Sequence, residues 1–153
     1  MIRVYEIFEN KGELCNRILR SLPAWFGIES AIVDYVKDVA PMPTLAADFG
    51  NNLKVGFLAL NFHNEYNAEI HVMGNLPDFH GKGVGKALVS QAESLARKRG
   101  ARFLTVKTLS PSRPNREYDM TRKFYFSAGF IPLEEFKTLW GEANPCLLMI
   151  KPL

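Results

Sequence analysis

Cysteine is almost missing from this chain: Cys15 and Cys146 are the only two among 153 residues, far apart and in no metal-ligand spacing. No disulfide framework can be built from them, and they read as buried free thiols in a reducing compartment. Uninterrupted apolar runs of about 18 residues are also missing, so no membrane span is expected. The N-terminal Met1-Ile2-Arg3-Val4-Tyr5-Glu6 carries charge where a signal peptide needs an apolar run, which makes the cytoplasm the expected location. Repeats, low-complexity tracts and linkers are absent. So is any large charge excess: a formal net charge of +3 suits a small anionic ligand but is too weak to argue for nucleic acid.

What remains is one domain's worth of ordinary globular sequence, 47% apolar and 23% charged, long enough to bury a core without metals or disulfides. Eleven phenylalanines predict a bulky core or an aromatic-lined cleft. Residues 2–8 alternate as a first strand. Helical periodicity follows at 12–21 and 28–38, interrupted by Pro23 and Gly27, and Pro41 and Pro43 stop the second helix. Strand-like runs at 44–49, 53–62 and 66–75, separated by Asn51-Asn52 and Asn64-Glu65, predict an antiparallel meander. Gly81 to Gly85 opens a helix with Val84, Leu88, Ala92 and Leu95 on one stripe, closed at Gly100. The cations Arg97-Lys98-Arg99 sit where they meet the helix dipole favourably. A strand at 103–109, a helix over Glu117–Ala128 and strands at 130–137 and 146–151 complete the chain. The order, βααβββ followed by βαβαββ, predicts an α/β (α+β) domain spanning 1–153, with a mixed sheet.

The informative segment is Phe79-His80-Gly81-Lys82-Gly83-Val84-Gly85-Lys86-Ala87-Leu88. Three glycines in five residues let the backbone approach a ligand and turn successive N–H groups one way. The helix beginning there adds its dipole and unpaired amides, a site for phosphate or pyrophosphate. A nucleotide triphosphate loop fails here, because His80 falls at its first glycine and Ala87 at the residue that should hold magnesium. A dinucleotide fingerprint fails because Lys86 or Leu88 stands where it needs glycine.

The loop His80-Gly81-Lys82-Gly83-Val84-Gly85 instead resembles the pyrophosphate loop of the GNAT N-acetyltransferase superfamily, Arg/Gln-x-x-Gly-x-Gly/Ala, with His80 at the Arg/Gln position. About 40 residues on, Phe124-Tyr125-Phe126-Ser127-Ala128-Gly129-Phe130 resembles the Phe/Leu-Tyr-x-x-x-Gly-Phe signature of the same superfamily. The resemblance covers the chain from about residue 53 onward. It implies a mostly antiparallel sheet flanked by about four helices. It also implies acetyl-CoA as co-substrate, no metal, and transfer of the acetyl group to an amine by direct attack in a ternary complex. A small-molecule amine is the expected partner, with a protein amine as the alternative; neither nucleic acid nor a membrane is expected, and a homodimer is left open. A catalytically silent acyl-CoA-binding module on the same fold is the rival from another class.

Site residues follow from the resemblance. His80, Gly81, Lys82, Gly83, Val84, Gly85 and Lys86 would bind the pyrophosphate, while Met73, Gly74 and Asn75 would hold the thioester arm, with Gly74 fitting a strand bulge. Tyr125 matches the tyrosine that protonates the leaving thiolate; an aromatic packing the helix onto the sheet is its other reading, compatible with the first. Tyr118 and Thr121 stand where many members have Asn and Ala, which suggests a bulkier or more polar wall, and Tyr118 is carried as a cofactor contact. Met120, Phe124 and Ala128 should face the core, and Arg116 and Arg122 read first as solvated helix charges, with help to the CoA phosphates as their other reading. Glu69, 14 residues before Gly83, matches the base glutamate of histone-type members, with strand alternation placing Glu69, His71 and Met73 on one face. His71 is the second candidate base, and water the third. Trp25-Phe26 falls where members line the acceptor pocket; Lys107, Arg113, Trp140 and His63 receive no role.

Overall fold

The computed structural model describes residues 1–153. Its elements are β1 (Arg3–Ile7), α1 (Lys11–Arg20), α2 (Glu29–Asp38), β2 (Thr44–Asp48), β3 (Gly56–Phe62), β4 (Asn67–Asn75), a 3-10 turn at Pro77–Phe79, α3 (Val84–Lys98), β5 (Phe103–Leu109), α4 (Arg116–Ser127), β6 (Ile131–Phe136) and β7 (Cys146–Pro152). The order agrees with the expected one once β4, which closes the first half and leads into the second, is counted a single time. No helix is long and apolar enough to cross a membrane.

The seven strands form one sheet in the order β1-β2-β3-β4-β5-β7-β6. Every neighbouring pair is antiparallel except β4 with β5. Alternation along the strands divides the core. Leu45, Ala47, Leu58, Leu60, Leu104 and Val106 meet the buried stripe of α3 (Val84, Leu88, Ala92) together with Tyr125 and Phe130. Ala46, Phe57 and Ala59 meet α1 and α2 on the other face, around Cys15, Ile18 and Ile32. Both cysteines are buried and free, and burial pushes the Cys15 thiol up to about 12 and the Cys146 thiol up to about 11.

One irregularity organises the centre. Ala59 pairs with Val72, yet the next residue, Leu60, pairs with Ile70. His71 is therefore the extra residue of a bulge in β4, which bends a strand and raises its twist. The bulge also inverts the side-chain parity. Ala68 and Ile70 lie in the α3-side core, Val72 lies in the α1-side core, and Met73 packs against the α3 side again. Strict alternation of Glu69, His71 and Met73 does not hold, because one unpaired residue shifts every later side chain to the opposite face. Gly74 is not the bulge: it pairs regularly with Phe57. A Cβ there would meet Leu22 Cδ1 at 3.0 Å and Ile18 Cγ2 at 3.3 Å, so its glycine is set by the close approach of α1.

A second close approach holds α3 against the sheet. A Cβ on Gly56 would lie 2.8 Å from Val84 Cγ1, 3.2 Å from Leu88 Cδ1 and 3.3 Å from Asn75 Cβ. Val84 is the first residue of α3 and adjoins Gly83, so displacing it displaces the glycine-rich loop. Gly56→Ala is expected to cost about 1–3 kcal/mol of stability by overpacking. Denaturant midpoints at unchanged slope would register the loss; an unchanged midpoint would mean that the α3–β3 contact yields freely.

Candidate active site

Parallel pairing between β4 and β5 runs from Asn67↔Phe103 only as far as Ile70↔Val106. Beyond it, β4 continues to Asn75 and β5 to Leu109 without pairing to each other. The strands part at the His71 bulge, and a cavity of about 430 Å³ opens between them. Ile70 to Asn75 of β4 form one wall and Val106, Lys107 and Thr108 of β5 the opposite one. The loop before α3 closes one end, α4 supplies Tyr118, Thr121 and Tyr125, and the α1–α2 connection supplies Leu22, Trp25 and Phe26.

At the α3 end, Gly81 (φ +75°) and Gly83 (φ +86°) are left-handed, a conformation that side chains with a Cβ rarely adopt. Nothing lies within 4 Å of the Cβ position at Gly81, and at Gly83 only Ile2 does, at 3.7 Å. The glycines therefore serve the path of the backbone, not dense packing. The first α3 bond runs from Ala87 N–H to Gly83 O, and the N–H groups from Gly81 to Lys86 donate to no other group of the protein. These free donors, at the positive end of a helix, with Lys86 beside them, form an anion cradle. The sequence-predicted residues Gly81, Gly83, Val84, Gly85, Lys86, Met73, Gly74 and Asn75 all line the cavity; Lys82 does not. The Lys82 ammonium lies instead over the Phe79 ring, 5.3 Å from its centroid. The His80 ring turns back to the strand, bonding through Nε2 to Asn75 O at 2.8 Å. Asn75 Nδ2 donates to Phe79 O at 3.3 Å, so these two side chains shape the loop.

The three candidate catalytic side chains separate. Tyr125 is buried and lines the cavity, and burial raises its phenol pKa well above the ordinary tyrosine value. His71 lines the cavity too, and its Nε2 lies 2.9 Å from Asp38 Oδ2 at the end of α2. With Nε2 donating to that carboxylate, Nδ1 is the nitrogen left to accept a proton. Glu69 is not among the lining residues. It is buried, its Oε1 is 2.6 Å from His63 Nε2, and its Oε2 accepts from Lys107 Nζ at 3.0 Å. Both oxygens are thus engaged by His63 and Lys107, whereas His71 lines the cavity directly.

The contacts that hold several of these side chains carried no readable sequence signal. Trp25 Nε1 donates to Thr121 Oγ1 at 3.0 Å and to Glu117 O at 3.3 Å, while Tyr118 Oη donates to Trp25 O at 2.8 Å. Burial pushes the Tyr118 phenol up to about 12. Tyr118 still lines the cavity, but its hydroxyl is taken by this tie. Thr108 is buried, lines the cavity, and its Oγ1 has no hydrogen-bond partner in the protein. Such an orphan is costly unless a ligand satisfies it. Of the expected core stripe, Phe124 and Ala128 pack against the α3-side core, whereas Met120 is exposed; the buried residues of α4 are Arg122 and Tyr125. Arg122 is buried and donates to Leu109 O at 2.5 Å, pinning the end of β5 where a solvated charge was expected. No group of three or more His, Cys, Asp or Glu side chains forms a metal-holding cluster.

Comparisons with known proteins agree with this fold. The same fold occurs in a GNAT-family protein from Desulfovibrio desulfuricans (TM-score 0.83, 16% identity, 99% of each chain covered). It occurs in a GNAT acetyltransferase from Elizabethkingia anophelis with acetyl-CoA bound (TM-score 0.77, 15% identity, 99% and 98% covered). The aminoglycoside 6'-N-acetyltransferase from Enterococcus faecium shares it as well (TM-score 0.75, 18% identity, 98% and 96% covered). No curated protein matches the sequence significantly. The profile of the acetyltransferase (GNAT) family matches residues 13–130, from α1 through both motif-bearing segments, and the chain belongs to that family.

Proposed function

We propose that the protein is an acetyl-CoA-dependent N-acetyltransferase that transfers the acetyl group to the primary amine of a small molecule by direct attack in a ternary complex. The observation that carries this reading is the opening of the free-amide cradle at Gly81–Lys86 into the same cavity as Tyr125 and His71. Acetyl-CoA, when bound, supplies a thioester carbonyl and a thiolate leaving group. The α3 amides and Lys86 receive its pyrophosphate. The edge of β4 beyond Ile70 has no strand beside it, so backbone groups around Met73 and Gly74 are free to hold the thioester arm and to donate to the carbonyl oxygen as charge develops. His71 Nδ1 takes a proton from the amine, and Asp38 holds the imidazole and stabilises its charged form. Tyr125 donates its hydroxyl proton to the departing sulfur as the C–N bond forms and the C–S bond breaks. Because burial raises its pKa, Tyr125 stays protonated across neutral pH and beyond the ordinary tyrosine range, so the alkaline limb of a rate profile does not arise from it.

Tyr125→Phe is expected to lower kcat about 100-fold, the scale of general acid catalysis, and to leave the calorimetric Kd for acetyl-CoA unchanged. A catalytically silent binding module has no turnover to lose, so a protein that binds acetyl-CoA yet releases no CoA thiol with any amine would be that module. Gly83→Glu, which places a carboxylate in the cradle, is expected to abolish saturable acetyl-CoA binding, while ATP–magnesium and NAD bind to neither form.

The assignment of the base is tested separately. His71→Gln is expected to reduce kcat/KM by 100-fold or so, and Asp38→Asn by about tenfold, through an interaction one step removed. Glu69→Gln should act mainly on the melting temperature, because it breaks a buried pair. A kcat lost in Glu69→Gln at unchanged stability, with His71→Gln fully active, would return the base role to Glu69.

A further inference from the structure

The acceptor side of the cavity has a definite chemical character. No Asp or Glu lines it, and its only charged lining residues are Lys86 and Lys107. Lys86 belongs to the anion cradle, and Lys107 is matched by Glu69. The two carboxylates that come close from behind are engaged, Asp38 by His71 and Glu69 by His63 and Lys107.

Aromatic rings fill the place that carboxylates leave. Trp25 stands edge-on to His80 with ring centroids 5.6 Å apart. Its neighbour Phe26 is edge-on to Tyr35 at 6.0 Å, and Tyr35 is edge-on to His71 at 5.5 Å. The rings thus run from the pyrophosphate loop to the residue assigned as base. The wall is held in place, because three hydrogen bonds with α4 residues, two donated by the Trp25 indole and one accepted by its carbonyl, fix Trp25.

From this charge and shape we infer the acceptor class: a primary amine carried on a flat apolar body of the arylalkyl type, with no second positive charge. The inference rests on the transferase reading above and specifies its substrate. A polyamine or amino sugar entering this cavity would strip water from each additional ammonium with no carboxylate to replace it. Attraction between a cation and a ring is worth about 0.5–2 kcal/mol, enough for one ammonium but not for several. A flat ring, by contrast, meets Trp25 and Phe26 in the edge and offset contacts that aromatic pairs favour. Trp25 and Phe26 are then specificity-determining residues, and Thr121 and Tyr118 position Trp25.

Calorimetry of the CoA-saturated protein and of the protein alone, with 2-phenylethylamine, tryptamine, spermidine and kanamycin as titrants, reads this preference without turnover. Thiol release with acetyl-CoA reads it in catalysis. The arylalkylamines are expected to bind, and to show kcat/KM at least 30-fold above spermidine and kanamycin. Phe26→Ala is expected to raise KM for 2-phenylethylamine about tenfold, the equivalent of one lost aromatic contact, with little change in the KM for acetyl-CoA. Trp25→Leu should act in the same direction if the first variant folds poorly. Spermidine or kanamycin binding as well as the arylalkylamines, or arylalkylamines failing to bind, overturns the acceptor class. Loss of the transferase reading looks different, since acetyl-CoA itself would then fail to bind in a titration without amine.

Discussion

One extra residue in a central strand is the constraint on which the site depends. His71 has no partner on β3, and the bend it imposes on β4 coincides with the last β4–β5 pair, Ile70 with Val106. A parallel pair that continued to the ends of both strands would seal the centre of the sheet and satisfy its backbone groups internally. Parting at the bulge leaves one edge of β4 unpaired, orphans the Thr108 hydroxyl and brings His71 to the cavity. The same bulge shifts side-chain parity, so that Val72 enters the α1-side core and Met73 packs against the α3 side. Cavity and core are two consequences of a single insertion.

The remaining parts are held to that opening by close contacts. Gly56 lets Val84 touch the sheet, which sets the height of the α3 N-terminus and of the free amides before it. Arg122 pins the last carbonyl of β5, so the second wall keeps its direction after its partner strand has left. Trp25, tied to α4 by three hydrogen bonds, joins the α1–α2 connection to the helix that carries Tyr125. Residues at Tyr118 and Thr121 that look like departures from the family pattern on α4 acquire a physical reason, since both are the partners of Trp25.

Much of this was legible along the chain. The apolar periods of α1, α2 and α3, the meander of β2 to β4 and the glycine spacing of the anion loop are local signals, because helix and strand repeats and left-handed turns are written within a few residues. Tyr125 was legible for the same reason, through its spacing to Gly129-Phe130. The partners of Glu69 were not legible, because a carboxylate at a plausible register says nothing of them: His63 lies in the β3–β4 connection and Lys107 on β5. Asp38 carried no mark at all. It becomes part of the site only because the end of α2 is packed against β4 beside the bulge.

By itself the sequence determined the element order, the anion loop and the family to which those motifs belong, since each depends on neighbours in the chain. Only the tertiary structure decided which candidates share a cavity. A β-bulge resets the facing of every residue after it, so the side of the sheet reached by His71 and Met73 depends on the register with β3. Charge obeys the same logic: whether Glu69, Lys107 and Asp38 are free or matched is a property of pairs brought together from distant segments, and that matching leaves the cavity aromatic and without carboxylates.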